Sequence, residues 1–205
     1  MSGISIRMAS LGTMSGSVIR AVAAPRWLLV LAASGILALS AQISLHLPPS
    51  VSPVPITLQS LAVVMIGVML GARAGAMAVI AYLLEGAAGA PVFAGAAGGA
   101  HHLIGPTAGY LWAFVPAAFA AGFLAERGWT SSWRRALPMV IIVKAIIFAG
   151  GLLWLSLLGM RGEALLAAGL FPFLPGAVAK FIAALVIIPS CDPQARHREL
   201  EHEKA

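Results

Sequence analysis

The chain has 205 residues, of which 60% are hydrophobic and only 10% are charged, and its mean hydropathy is +0.95. Soluble domains carry about 25% charged residues, so this composition excludes an ordinary soluble protein and predicts a polytopic membrane protein with one domain. The net charge of +6 is therefore interpreted as a signal of membrane orientation, and no nucleic-acid partner is expected.

Residues 1–26 are rich in Ser, Gly and Met and predict a cytoplasmic N-terminal leader. The next run, residues 27–45, has no charge and is close to the roughly 20 residues that span a bilayer. A cleavable signal peptide is the alternative, although the run exceeds the usual apolar core of about 7–15 residues. Four prolines in residues 46–55 then predict an extended connector.

The remaining apolar runs predict an all-α fold with six transmembrane helices. They divide the chain into the leader, a six-helix membrane domain at residues 27–190 and a charged cytoplasmic tail at residues 191–205. The predicted helices occupy residues 27–45, 57–70, 74–85, 107–125, 138–158 and 175–189.

The segment between Gly86 and Gly109 contains seven glycines and no charge. It is apolar enough to lie near lipid, but Gly and Pro oppose a regular helix. Irregular backbone at membrane depth persists only where protein or a water-filled cavity covers it. We therefore expect this segment to form one wall of a binding cavity.

The basic residues give an independent prediction of topology, because short cytoplasmic loops collect Lys and Arg. With six helices, the inner regions hold ten of the thirteen basic residues, and the outer connectors hold only Arg161. Both termini are therefore predicted to be cytoplasmic. The proline-rich loop, the glycine-rich segment and residues 159–173 are all predicted to lie on the outer face.

Four segments in order along the chain carry a family resemblance. They are PVPITLQSLAV (residues 53–63), YLLEGAAGAPVFAG (82–95), GPTAGYL (105–111) and PFLPGAVAK (172–180). Together they resemble the signature segments of the BioY family, the biotin-specific substrate-binding S components of energy-coupling-factor (ECF) transporters. The resemblance covers residues 53–189, about two thirds of the chain.

The resemblance implies that the protein binds biotin at the outer face of a bacterial inner membrane and mediates its uptake. It also implies association with a transmembrane coupling subunit and two ATPase subunits, so the chain is expected to be a transport protein without a cofactor and not an enzyme. A Ser/His/Asp arrangement and a phosphate loop are absent from the sequence. The alternatives are an S component for another vitamin and a noncatalytic membrane assembly subunit, and self-association into a homo-oligomer is left open.

Lys180 in the last segment is the first candidate for ligand binding. An ammonium within an apolar helix is costly unless it is paired, hydrated or directed at a cavity, and the alternative is a lysine that snorkels to the interface. The family commonly has PGDxxK where this chain has PGAVAK, so Ala177 replaces an expected acid. This departure predicts weaker or altered biotin recognition, or compensation by another residue. Glu85 is a candidate for that compensation, and an interfacial charge is its alternative.

The first segment offers two further candidates. Thr57 is predicted to cap the helix that follows, because a Thr hydroxyl accepts a hydrogen bond from a free backbone N–H. Gln59 is predicted to contact either the ligand or a neighbouring helix.

The remaining candidates lie in the glycine-rich segment and at the start of the predicted fourth helix. Thr107 is predicted to cap the fourth helix, and a helix N-terminus attracts a carboxylate, although a tight turn explains this segment equally well. Phe93 and Trp112 offer aromatic faces to a bicyclic ring, or are core or interface anchors, and Tyr110 offers a flat face with a hydroxyl. His101 is either a loop residue or a single ligand contact. Because His101 and His102 are adjacent and no Cys/His cluster has zinc spacing, no metal site is predicted.

Overall fold

The computed structural model describes residues 25–48, 50 and 52–190, with the side chains of residues 189 and 190 excepted. Most of the predicted leader and the whole predicted tail lie outside these residues. The described elements are helix α1 (Arg26–Gln42), strands β1 (Ser44–Leu45) and β2 (Ile56–Thr57), and helices α2 (Gln59–Ala87), α3 (Ala108–Glu126), α4 (Trp133–Leu157), α5 (Gly162–Gly169) and α6 (Leu174–Ser190). Two short 3₁₀ helices lie at Ala100–Leu103 and Phe171–Phe173.

Four helical stretches are long and apolar enough to cross a membrane, judged by length and composition. Three of them are α2, α3 and α4, and the fourth joins α5 to α6 as Gly162–Ile188, whereas α1 is apolar but shorter. Large apolar side chains such as Leu39, Met69 and Leu157 are exposed on the surface of the bundle. A mostly helical fold with this surface is that of a multi-pass membrane protein.

Helix α2 folds back on itself at Gly71. This residue has φ 82° and ψ 174°, in the region that favours glycine. The Nε2 atom of Gln59 donates a hydrogen bond to the hydroxyl of Tyr82 at 2.7 Å, yet 23 residues of straight helix would separate the two by about 35 Å. Residues 59–70 and 72–87 therefore form a helical hairpin, and its break falls between the predicted helices at residues 57–70 and 74–85.

Close packing holds this hairpin. A Cβ atom on Gly75 would lie 2.9 Å from the Cα of Gly67, so the absence of side chains lets the two halves approach. Helix α3 packs across the hairpin, and the Oε1 atom of Glu126 accepts a hydrogen bond from the backbone N–H of Ala72 at 2.8 Å. The carboxylate thereby satisfies a free donor at the start of the second half and lies near the positive end of its dipole.

The proline-rich loop is closed by two short strands that the all-α prediction did not include. α1 ends at Gln42, three residues before the predicted end, and β1 pairs antiparallel with β2 so that Ser44 faces Thr57. Four prolines prevent the loop from continuing the helix, and the two-residue ladder fixes its ends side by side.

The predicted boundaries near the C-terminus need two corrections. α4 begins at Trp133 rather than at residue 138, because Pro138 removes only one helical hydrogen bond and the helix continues through it. The predicted connector at residues 159–173 contains α5, which has Glu163 in its first turn and Ala and Leu after it. These residues favour a helix, and an acid at its N-terminus stabilises the dipole.

The hairpin makes a testable prediction about its glycines. Gly75→Ala should destabilise the protein, because overpacking against backbone costs about 1–3 kcal/mol and the added Cβ would press on Gly67. Gly35→Ala is the matched control, since nothing lies within 4 Å of a Cβ there and Ala gains about 0.5–1 kcal/mol of helix propensity. Thermal unfolding in detergent should give a lower Tm for Gly75→Ala than for Gly35→Ala. Equal Tm values would contradict the close packing.

Candidate functional site

A cavity of about 430 Å³ lies at the end of the bundle where α2, α3 and α6 begin. Its wall includes the proline-rich loop, the glycine-rich segment and the middle of α4. The first turns of α2 and α3 and the N-terminal half of α6 thus meet at one cavity. Small-molecule sites are commonly cavities of about 300–1,000 Å³ with apolar walls and few polar groups.

The glycine-rich segment forms one wall, as the sequence predicted. Apart from its short 3₁₀ helix it is irregular between Ala87 and Ala108. Phe93 and Ala97 form a bridge that directs the Phe93 ring inward, and this ring packs against Gly86. The ring of Phe93 also lies edge-on to that of Tyr82, with centroids 5.5 Å apart. The glycine at position 86 therefore makes room for an aromatic wall residue.

A second aromatic wall is formed by Tyr110 and Phe173. Their ring centroids are 5.9 Å apart, and the hydroxyl of Tyr110 donates to the carbonyl of Gly169 at 2.6 Å. Since the hydroxyl is used by the last residue of α5, Tyr110 presents its ring to the cavity. Phe114 and Phe148 extend the apolar lining.

A polar chain enters the cavity from the start of α2. The hydroxyl of Thr57 donates to Oε1 of Gln59 at 3.1 Å, and Nε2 of Gln59 donates to Tyr82. Gln59 is buried and also lines the cavity. The two predicted roles of Gln59, a contact to another helix and a place at the ligand site, are thus compatible.

The two predicted threonine caps are wrong. Thr57 belongs to β2, and the cap position of α2 is Leu58 without a side-chain cap. Thr107 is at the cap position of α3, but its φ of −81° and ψ of −15° are helical and its hydroxyl makes no cap hydrogen bond. A capping hydroxyl needs extended backbone. Both threonines nevertheless line the cavity.

Lys180 reaches the cavity from α6. Its Nζ atom donates to the carbonyl of Thr57 at 2.7 Å, which ties α6 to β2. Ala177 lies three residues earlier and also lines the cavity, so the position at which the family commonly has an acid faces this space. The methyl group of Ala177 leaves Lys180 without a carboxylate partner on its own helix.

Lys144 is a charged cavity residue that the sequence did not identify as a ligand contact. The sequence favours a snorkelling or helix-contact role for it. The side chain is only 9% exposed, contacts α2 and also lines the cavity. Its Nζ atom donates to Oγ of Ser60 at 3.0 Å and to the carbonyl of Ser60 at 3.3 Å. A single charge inside the apolar run VIIVKAII was the available signal, because ionisable residues at membrane depth are functional by default.

Glu85 lies elsewhere. Its Oε1 atom accepts a hydrogen bond from the hydroxyl of Ser34 at 2.8 Å, and Glu85 is not among the residues that line the cavity. The predicted compensation for Ala177 by this carboxylate therefore has no support in the geometry, and Glu85 instead joins α2 to α1.

His101 and His102 stand at the edge of the cavity, where both contribute to its lining. Their ring centroids are 4.1 Å apart. Burial lowers the pKa of His102 below its usual value, and the neighbouring His101 adds an effect in the same direction. Among the described residues, no group of three or more His, Cys, Asp or Glu side chains could hold a metal ion.

Comparisons with known proteins agree with one another. The model described as the BioY family matches residues 13–197. The biotin transporter BioY of Rhizobium etli is 37% identical over 156 residues, which cover 71% of this chain and 83% of that protein. The biotin transporter BioY of Thermotoga maritima is 38% identical over 135 residues, or 66% of this chain and 79% of that protein.

A solved structure has the same fold. The S-component for biotin from an ECF-type ABC transporter matches with a TM-score of 0.71 and 26% sequence identity. The match covers 89% of this chain and 94% of the other.

The lowered pKa of His102 predicts a pH dependence of stability. Between that pKa and about 6.5, the unfolded chain binds the proton more readily than the folded one. This contribution to stability is therefore present at pH 7.5 and is lost as the pH falls below about 6.5. The fall in Tm between pH 7.5 and pH 5.5 should be smaller in His102→Gln than in the unmodified protein. An identical fall in both would contradict the assignment.

Proposed function

The chain belongs to the BioY family, and from that premise we propose that it binds biotin and mediates its uptake as the substrate-specific component of an ECF-type transporter. The relatives are named as biotin transporters, and the structural neighbour is the biotin S-component of an ABC transporter. The protein is accordingly a transport protein and not an enzyme.

The observation that carries the proposal is the meeting of all four signature segments at one cavity. Each segment contributes lining residues: Thr57 and Gln59 from the first, Phe93 from the second, Thr107 and Tyr110 from the third, Ala177 and Lys180 from the fourth. Segments that are up to about 120 residues apart in the sequence thus surround a single space of ligand size.

The cavity suits the two parts of biotin. Aromatic rings from Phe93, Tyr110 and Phe173 supply flat apolar faces for the bicyclic ring. The ureido group and the carboxylate of biotin need hydrogen-bond partners, which Gln59 and Lys180 offer. We propose Thr57, Thr107 and His101 as further contacts, because they also line the cavity. Glu85 is proposed to hold α1 rather than to touch the ligand.

We further propose that six helices cross the bilayer with both termini in the cytoplasm. The two halves of α2 count as separate helices because Gly71 folds them into a hairpin. Arg73, Arg127, Arg134 and Arg135 lie at the end of the bundle away from the cavity, as cytoplasmic loops require. The cavity then opens to the outside, where biotin arrives.

The proposed partners are a transmembrane coupling subunit and two ATPase subunits in the bacterial inner membrane. The structural neighbour is a component of an ECF-type ABC transporter, and this sequence contains no phosphate loop of its own. We propose that these separate subunits supply the energy for transport.

Calorimetric titration of the purified protein tests the proposal directly. We expect saturable binding of biotin and no binding of thiamine or riboflavin. Desthiobiotin, which retains the ureido group and the carboxylate, should bind as well, although more weakly. Absence of biotin binding, or preference for another vitamin, would overturn the proposal.

Lys180 gives a sharper prediction. Lys180→Gln should weaken biotin binding by about 10- to 100-fold, the loss expected when one charge-assisted hydrogen bond is removed. Arg73→Gln is the control, since it removes an exposed charge that does not line the cavity. The same titration measures both. Equal affinity in the two variants would exclude Lys180 from the binding site.

A further inference from the structure

The polar end of the cavity contains two ammonium groups from two different helices. Lys144 comes from α4 and Lys180 from α6, and both line the same space. Their hydrogen-bond acceptors belong to one short stretch of chain, because Lys180 donates to the carbonyl of Thr57 and Lys144 donates to Ser60. Residues 57–60 thereby hold both lysine side chains at the same end of the cavity.

In the part of the chain that the structure describes, no carboxylate lies beside Lys144 and Lys180 in the cavity. The three acidic residues of this part of the chain are Glu85, Glu126 and Glu163, and none of them lines the cavity. Glu85 accepts a hydrogen bond from Ser34, Glu126 binds the backbone of Ala72, and Glu163 is exposed on α5. Ala177, at the position where an acid would pair with Lys180, adds no charge.

An uncompensated pair of cations in a mostly apolar cavity is costly. Burial removes hydration, and the partners of both lysines are a hydroxyl and backbone carbonyls, which carry no charge. An ammonium has three N–H donors, and Lys180 uses one of them on Thr57. Donors therefore remain for a ligand anion.

We propose that Lys144 and Lys180 together bind the free carboxylate of the ligand, with Lys144 as the residue that makes this cavity selective for the acid over esters and amides. The proposal rests on the proposed function, since it assigns one end of biotin to one end of the cavity. Ser60 positions the Lys144 ammonium, and the aromatic walls then receive the bicyclic ring. A neutral ester would leave both cations without a counter-ion.

The test compares biotin with biotin methyl ester by calorimetry on the full chain in detergent. The unmodified protein should bind the acid at least about 10-fold more tightly than the ester, the discrimination expected for one charged hydrogen bond. Lys144→Gln should weaken binding of the acid by about 10- to 100-fold and leave the affinity for the ester unchanged. Arg73→Gln, which is remote from the cavity, should leave the acid-to-ester ratio as it is.

A second variant serves if Lys144→Gln does not elute as a folded protein. Ala177→Asp places a carboxylate three residues before Lys180, on the same face of α6, so it should lower the acid-to-ester ratio while Lys144 stays intact.

The outcomes separate the two proposals. If the unmodified protein binds neither biotin nor its methyl ester, both the proposed function and this inference are overturned. If it binds acid and ester equally, biotin binding stands and the carboxylate assignment is overturned. If Lys144→Gln weakens acid and ester by the same factor, Lys144 supports the structure only, and its role in selectivity is overturned.

Discussion

The fold-back of α2 at Gly71 is the constraint on which the cavity depends. It returns the chain so that Gln59 and Tyr82 share a hydrogen bond across the hairpin. Without it, the proline-rich loop before α2 and the glycine-rich segment after it would lie at opposite ends of a long helix. With it, both reach the same end of the bundle. Glycines at the hairpin contact and the carboxylate of Glu126 at its turn make this arrangement close-packed and satisfied in hydrogen bonds.

Much of this architecture could be predicted from the sequence, because membrane helices are recognised by their length and apolar composition. The irregular wall formed by the glycine-rich segment was predictable as well. Its glycines and prolines disfavour a helix, although its apolar composition is that of a membrane segment. The errors were local. Thr57 and Thr107 have the right side chain for a cap, but strand pairing and helical backbone place their hydroxyls elsewhere. Helix α5 was missed because a short helix lacks the length that identifies a span.

Lys144 shows why a binding site is harder to predict than a fold. A single sequence gives its depth along α4 but not the side of the helix that it occupies, and that side depends on how α2 and α4 pack. In the structure the lysine faces Ser60 and the cavity. The sequence shows that Ala177 replaces an acid, but it does not show that Lys180 is thereby left without a carboxylate partner in the cavity. Only the arrangement of both lysines shows that the cavity carries an excess of positive charge.

The central claim is that biotin occupies this cavity, with its ring between the aromatic walls and its carboxylate at the two lysines. A crystal or cryo-electron microscopy structure of the protein with bound biotin tests it most directly. The account predicts the bicyclic ring beside Phe93 and Tyr110 and the carboxylate within hydrogen-bond distance of Lys144 and Lys180. Biotin bound outside the cavity, or bound in it with its ureido ring at the lysines, would contradict the account.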